Sequence, residues 1–258
     1  MIKGEVPATS GKITSLTNLA VSRCSLTSTR LSIVLPVLAA IVLAGCATGP
    51  VREIDRLESV GENPRILIME PDIKYYLLTA SGLAQPHAEW TLAARRNFSS
   101  ALKAYAEERG TDVVTIPEGT LPDELEIAYS KLHAAVGLTI RINHFGPSRL
   151  PTKDGEFDWG LGPGVSEIGK KYRADYALFS YFRDYEASGG RVAFAVLVAL
   201  AAGGIMSTGS EEGFASLVDL NTGEIVWFNV IYSSEGELRQ EEGSKEIVAK
   251  LFANLPER

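Results

Sequence analysis

A mixed α/β or α+β domain, with helices packed on a central mixed sheet, is the fold this chain predicts for residues 64–258. Three observations carry it. Short apolar or β-branched runs alternate with stretches of helical period, starting from RILIME at 65–70. Two of the helical stretches are amphipathic. Near the end, apolar runs at 214–220 and 224–232 flank Asn221, Thr222 and Gly223, a loop of hairpin length with glycine available for the left-handed position.

In chain order, 65–70 suits a buried strand, Pro71 and Asp72 interrupt it, and 73–78 reads as its extension. The spacing then predicts a helix over 87–109, with Trp90, Ala94, Phe98, Ala101, Leu102 and Tyr105 on one face and Gly110 as its stop. A short strand at 112–116 ends at Pro117. A second helix is expected over 122–136, with Leu125, Ala128, Tyr129, Leu132 and Val136 inward and Pro122 in its first turn. The stretch 144–164, rich in proline and glycine, reads as a long loop, either functional or mobile. A helix at 165–173 leads into a central strand at 175–185, and after the C-terminal hairpin a helix at 245–252 turns Ile247, Val248, Leu251 and Phe252 inward.

The segment 191–206 is apolar on every side, whether read as strand or helix. Its alanine content, Ser188 as N-cap and Gly203 and Gly204 as stop favour the helix. Such a segment is expected in the core, at an oligomer interface or against a membrane, and it makes Phe194, Val198 and Ile205 candidate interaction residues. Trp159, set in the 144–164 loop, is a fourth candidate, for contact with a partner protein or a glycan.

The first 45 residues follow a different logic. Arg23 and Arg30 precede an apolar run that ends in Leu43, Ala44, Gly45 and Cys46, the order of a secretory signal. Its core of roughly 15 residues would reach about 22 Å as a helix, short of a bilayer's roughly 30 Å. Leu-Ala-Gly-Cys resembles the lipobox of bacterial lipoproteins, which implies cleavage between Gly45 and Cys46 and acylation of Cys46 by fatty chains such as palmitate. The alternative is a short uncleaved anchor. Residues 1–20 lie upstream of what a compact signal needs, so a translation start nearer Val21 is one reading. Residues 46–63, rich in charge and turn formers, read as the lipidated cysteine and a tether, with a short helix around 51–60 as a further option.

Charge and cysteine count then narrow the classes. The first 45 residues hold four of the 25 basic and one of the 32 acidic residues, leaving 21 against 31 in the mature part. That balance argues against nucleic acid and polybasic lipid sites as partners. With Cys24 removed and Cys46 acylated, neither an intrachain disulfide nor a cysteine metal site can form.

The stretches RADYAL at 173–178, Gly190 with Arg191, and ASLVDLNTGEIVWFN ending at Asn229 resemble bacterial envelope lipoproteins with a curli-secretion-like or penicillin-binding-protein-activator-like domain. The resemblance implies a periplasmic α/β module that binds proteins and often self-assembles, and it carries no catalytic residue over. Pore formation in that family uses pairs of alternating apolar and polar hairpins, and this chain has no such pair.

Other motifs are weaker. Gly164, Gly169 and Lys170 approach a phosphate-binding loop, but Lys171 stands where Ser or Thr should hold magnesium. Asp154, Glu156 and Asp158 alternate like a calcium loop, with Trp159 where the turn needs glycine. His87, His133 and His144 form no metal pair, and no nucleophile elbow accompanies them. The expectation is a lipid-anchored, non-catalytic binding, scaffold or assembly module without cofactor or metal. It would sit at the membrane through its acyl groups, with envelope proteins or its own copies as partners, and Ala47 after Cys46 favours the outer membrane. The alternative is a lipid-anchored hydrolase in which His133 and His144 meet Asp154 or Glu156.

Overall fold

Strand β6 (Tyr176–Ala187) is the axis of the molecule. In the computed structural model, which describes residues 51–57, 63–117, 119–153, 155–207, 209–232 and 237–256, this strand is buried on both faces over its first eight residues, as its unbroken apolar run requires. The antiparallel strand β7 (Gly209–Asp219) follows it along one edge from Tyr176 opposite Asp219 to Glu186 opposite Gly209. Beyond β7 lie β8 (Ile225–Tyr232) and then β1 (Val51–Arg52), both antiparallel to their neighbours.

The other edge of β6 is shared. Strand β2 (Ile66–Ile68) pairs in parallel with Tyr176 to Leu178, and β3 (Asp72–Leu78) pairs in parallel with Tyr181 to Ala187. Pro71 has no amide to donate, so the run that began at Ile66 kinks there and resumes farther along the same edge. The sheet forks at this kink. β5 (Val113–Thr115) adds in parallel beyond β2, and β4 (Ala84–Pro86) pairs antiparallel beyond β3. The result is one eight-stranded mixed sheet in a single domain.

Helices cover both faces. On one, α1 (Ala88–Glu108) and α5 (Glu241–Leu251) pack over Ile73, Tyr75, Phe182, Leu217 and Trp227. The Tyr105 hydroxyl donates to the Phe252 carbonyl at 2.6 Å and joins the two helices. On the other, α2 (Glu124–Asn143), α3 (Ser166–Tyr172) and the 144–165 segment cover Leu67, Phe179, Phe214 and Phe228. The fourth helix, α4 (Gly189–Ala202), covers neither face, because it is inserted between β6 and β7 at the open end of their pairing.

Three expectations change here. The expected inward residues Leu125, Tyr129 and Val136 of α2 do pack on the core, but its most buried line is Glu126, His133, Gly137 and Ile140, and Ala128 and Leu132 are exposed. Two polar residues on the buried side hid the true period. The 144–164 loop is pinned rather than free. The Leu161 amide donates to the Gly223 carbonyl at 2.7 Å and the Ile225 amide to the Trp159 carbonyl at 2.8 Å. Gly223, at φ +83, allows that approach, since a Cβ there would stand 2.2 Å from the Gly162 carbonyl oxygen. Finally, part of the expected tether is docked: β1 pairs with Phe228 and Trp227, Leu57 is buried and Ile54 packs on the core. The signal, its cleavage point and Cys46 lie outside the described residues.

Candidate functional site

Helix α4 forms as its end signals require. The Ser188 side chain accepts from the Arg191 amide at 3.2 Å, and Gly203 closes the C-terminus at φ +64, where it satisfies the Ala199 carbonyl. The Ser188 amide donates to the Leu78 carbonyl at 2.8 Å, and the Arg191 guanidinium donates to the Ser207 carbonyl at 3.1 Å. The start of the helix is therefore tied to β3 and to its own return strand.

Its sides are not covered. Ala195 is the one buried residue of the helix, while Val192, Phe194, Val196, Leu197 and Leu200 are exposed, Leu200 to 80 %. Ile205, just beyond the helix, is fully exposed, and Val198 is half-buried. Leu83, 66 % exposed, extends the patch from the neighbouring β3–β4 turn, where Ala80 and Gly82 approach Gly190 and Arg191. Among the described residues nothing buries this segment in the core, one of the readings made of it. A contiguous apolar projection of this kind marks a surface that meets something other than water.

Trp159 does not belong to this projection. It lies beside the β7–β8 turn, at the opposite end of β7 from Gly209, about 33 Å away by strand rise. Its ring is half-buried under the Lys153 ammonium at 4.9 Å, and its indole N–H is buried without a hydrogen-bond partner among the described residues. Phe194, Val198 and Ile205 thus share one end of the sheet, and Trp159 sits at the other.

The histidines are not assembled into a reactive group. His133 is buried between the rings of Phe179 and Phe214, 5.0 and 5.4 Å away, and burial pushes its pKa down to about 3 despite the Asp72 charge. His144 ends the same helix eleven positions on, about 16 Å by helical rise. Burial and Arg149 lower its pKa as well. Asp154 lies outside the described residues. His144 and Glu156 share a small cleft, and His87 caps α1, its Nδ1 accepting from the Trp90 amide at 3.4 Å.

The near phosphate loop is closed by its own neighbours. The Lys171 ammonium bonds Asp123 at 2.8 Å and Glu126 at 2.6 Å, and Tyr172 donates to Glu126. Burial pushes the Glu126 carboxyl up, but the bonds from Lys171, Tyr172 and the Asp123 amide outweigh it and hold the group below the usual carboxylate range. Lys153 likewise bonds Asp158 in the calcium-like stretch. Among the described residues no group of three or more His, Cys, Asp or Glu is arranged to hold a metal ion.

Sequence reading did not find a second feature, a cleft at the fork of the sheet. It has a volume of about 740 Å³ and lies between α1 and the 115–122 segment, over the ends of β2 and β5. Its walls come from three separate stretches, so no local signal marks it.

No protein-family model matches the chain, and no curated protein matches it. Solved structures give distant likenesses. The PelC dodecamer from Paraburkholderia phytofirmans is 12 % identical, with 81 % of this chain and 96 % of that chain covered and a TM-score of 0.36. The lipoprotein GNA1162 from Neisseria meningitidis is 15 % identical over 65 % of this chain and 80 % of that chain, with a TM-score of 0.30. The C-terminal domain of LpoB from Salmonella enterica is 14 % identical over 77 % and 93 %, with a TM-score of 0.25. These are similarities of outline too remote to assign this chain to a family.

Proposed function

We propose that this protein is a non-catalytic, lipid-anchored module of the bacterial envelope. Cleavage before Cys46 and acylation of that residue fix it to a membrane, and the α4 projection dips into the same bilayer. The observation that carries the reading is α4 itself, apolar around its cylinder and uncovered by the described residues.

The position of the anchor supports a bilayer as the occupant. Val51 lies on the α4 side of Arg52 along β1, since β1 runs antiparallel to β8 and β8 rises toward the α4 end. Cys46 is five residues before Val51, so the acylated residue stays within about 18 Å of it. Val51 stands opposite Phe228 and through it Ser216, seven residues or about 23 Å by strand rise from Gly209, so the anchor can extend most of the way toward the end of the sheet from which α4 projects.

Energetics favour shallow contact. Each half-exposed aliphatic side chain removed from water contributes roughly 1 kcal/mol, so the large side chains of the projection together supply about 6 kcal/mol before ordering costs. That supports reversible interfacial binding. Fourteen residues of helix reach about 21 Å and do not cross a bilayer. No helix among the described residues is long and apolar enough to do so. Arg191 is the only charged residue in α4, so anionic lipid is not required. The Ala47 that follows Cys46 favours the outer membrane.

Flotation tests the reading. The unacylated fragment 47–258 is expected to rise with neutral phosphatidylcholine vesicles in a density gradient, and the Leu197→Asp, Leu200→Asp variant to stay at the bottom. A wild-type fragment that stays down would remove the bilayer contact.

A further inference from the structure

The cleft at the fork lies where an open α/β sheet places ligands, beyond the carboxyl ends of neighbouring parallel strands whose connections leave on opposite faces. A second cavity of about 230 Å³ continues it toward α2, and the two share Met69, Pro71, Ile116 and Pro122 as an apolar floor beside the Glu70–Arg95 ion pair. The cleft is thus an elongated trough rather than a closed hole.

Its charge runs against that of the chain. The mature part is about ten charges negative, yet Arg96 and Lys103 stand on the α1 wall and Lys131 on the α2 wall. Arg95, the third cation of the α1 wall, is occupied, donating to the Ile73 carbonyl at 3.1 Å and bonding Glu70 at 3.2 Å. Lys103 reaches Glu107 only at 3.9 Å, and neither Arg96 nor Lys131 is paired with a described residue. The trough also carries three carboxylates, but each is bonded to a cation, Glu70 to Arg95, Asp72 to Arg183 and Glu126 to Lys171, so the charges left over are cationic and stand toward its two ends, at Arg96 and Lys103 and at Lys131. No aromatic ring lines it, so it lacks the stacking surface a sugar ring would use.

We infer that this trough binds a short acidic peptide segment of a partner protein, one carrying carboxylates at its ends and aliphatic or proline residues between them. Such a segment matches the sign of both ends and the chemistry of the floor, and the negative charge of the remaining surface repels it from other sites. The trough is distinct from α4, and its occupation does not depend on membrane contact.

Fluorescence anisotropy with the acylated full chain in detergent micelles tests the inference. The probe is a fluorescein-labelled decapeptide with two glutamates at each end and leucine, proline and valine between them. Saturable binding is expected, weakened at least tenfold by Arg96→Glu with Lys131→Glu. Neither position is paired with a described residue and both are exposed, so these changes should leave the fold intact, and a lysine-ended decapeptide with the same centre should bind that variant and not the wild type. Absence of saturable binding, equal binding by wild type and variant, or failure of the lysine-ended probe to bind the variant would overturn the inference. Equal binding of a glutamate-ended probe with a glycine and serine centre would do so too, since it would reduce the effect to charge alone.

Discussion

Helix α1 carries Arg95, Arg96, Lys103 and Glu107 and still buries Ala94, Phe98, Ala101, Leu102 and Ala106, whereas α4, with Arg191 as its only charged residue, buries Ala195. The difference lies in arrangement and in place. In α1 the apolar residues form one stripe that the sheet accepts, and the opposite side is charged. In α4 they surround the cylinder, and the helix stands at the end of a strand pair where no sheet face is available to it. Burial within the chain follows segregation of side chains, so the unsegregated helix is left to meet something outside the chain.

Substitutions can break this comparison, and the largest effect belongs to α1. Phe98→Ala is expected to cost about 3–5 kcal/mol in urea unfolding, because Phe98 is enclosed and packs on Phe252. Leu200→Asp should change stability by no more than about 0.5 kcal/mol, as an exposed change does. Comparable losses at the two positions would mean that α4 is packed after all.

Next in size is the pairing of β3 with β6, the strands to whose ends the start of α4 is tied. The Arg183 guanidinium bonds the Asp72 carboxylate at 2.6 Å and its backbone carbonyl at 2.5 Å, with Tyr181 stacked beneath it. Asp72→Ala leaves a buried cation unpaired and is expected to cost about 3 kcal/mol in the same unfolding experiment.

Acid should act on the covered part of the molecule. His133 has a folded pKa of about 3 against an ordinary 6.5, so the unfolded chain binds the extra proton between those values and stability falls as pH drops below 6.5. The loss should reach about 3 kcal/mol by pH 4.5, and His133→Phe should flatten it. Asp184 acts in the opposite direction. Burial, with Glu211 and Glu237 nearby, pushes its pKa up to about 7, so stability falls as pH rises from about 4 through 7, and Asp184→Asn should be stabilising at pH 8. Unfolding midpoints measured from pH 4 to 8 separate the two slopes.

The smallest effect sharpens the view of α4 itself. Ser188→Ala removes the cap and should weaken the helix by about 1 kcal/mol. Hydrogen exchange should show faster amides in 191–194 with those of β6 unchanged.

The sequence was most legible where a local rule governs the chain. His87 and Arg109 bound α1 as its spacing predicts, Ser188 and Gly203 bound α4, and Asn221 to Gly223 turn the C-terminal hairpin. It was least legible where distant residues decide. Glu126 and His133 face inward because Lys171, Tyr172 and two phenylalanines from other elements receive them, and no periodicity rule anticipates that. The docking of 51–57 depends on an open edge of β8, and the trough depends on a kink at Pro71 that brings α1 and α2 walls together. Of the four candidate interaction residues, Phe194, Val198 and Ile205 converge because they share one apolar segment. Trp159, chosen for its loop setting, lies elsewhere because that loop is bound to the hairpin turn.

The central claim is that α4 enters a bilayer and α1 does not, and two exposed leucines test it directly. Fragment 47–258 contains no cysteine, so Leu200→Cys and Leu92→Cys each provide a single attachment point for an environment-sensitive fluorophore. On addition of phosphatidylcholine vesicles, the label at position 200 should shift its emission to the blue while the label at position 92 stays unchanged. An unshifted label at position 200, or equal shifts at both positions, would contradict the account.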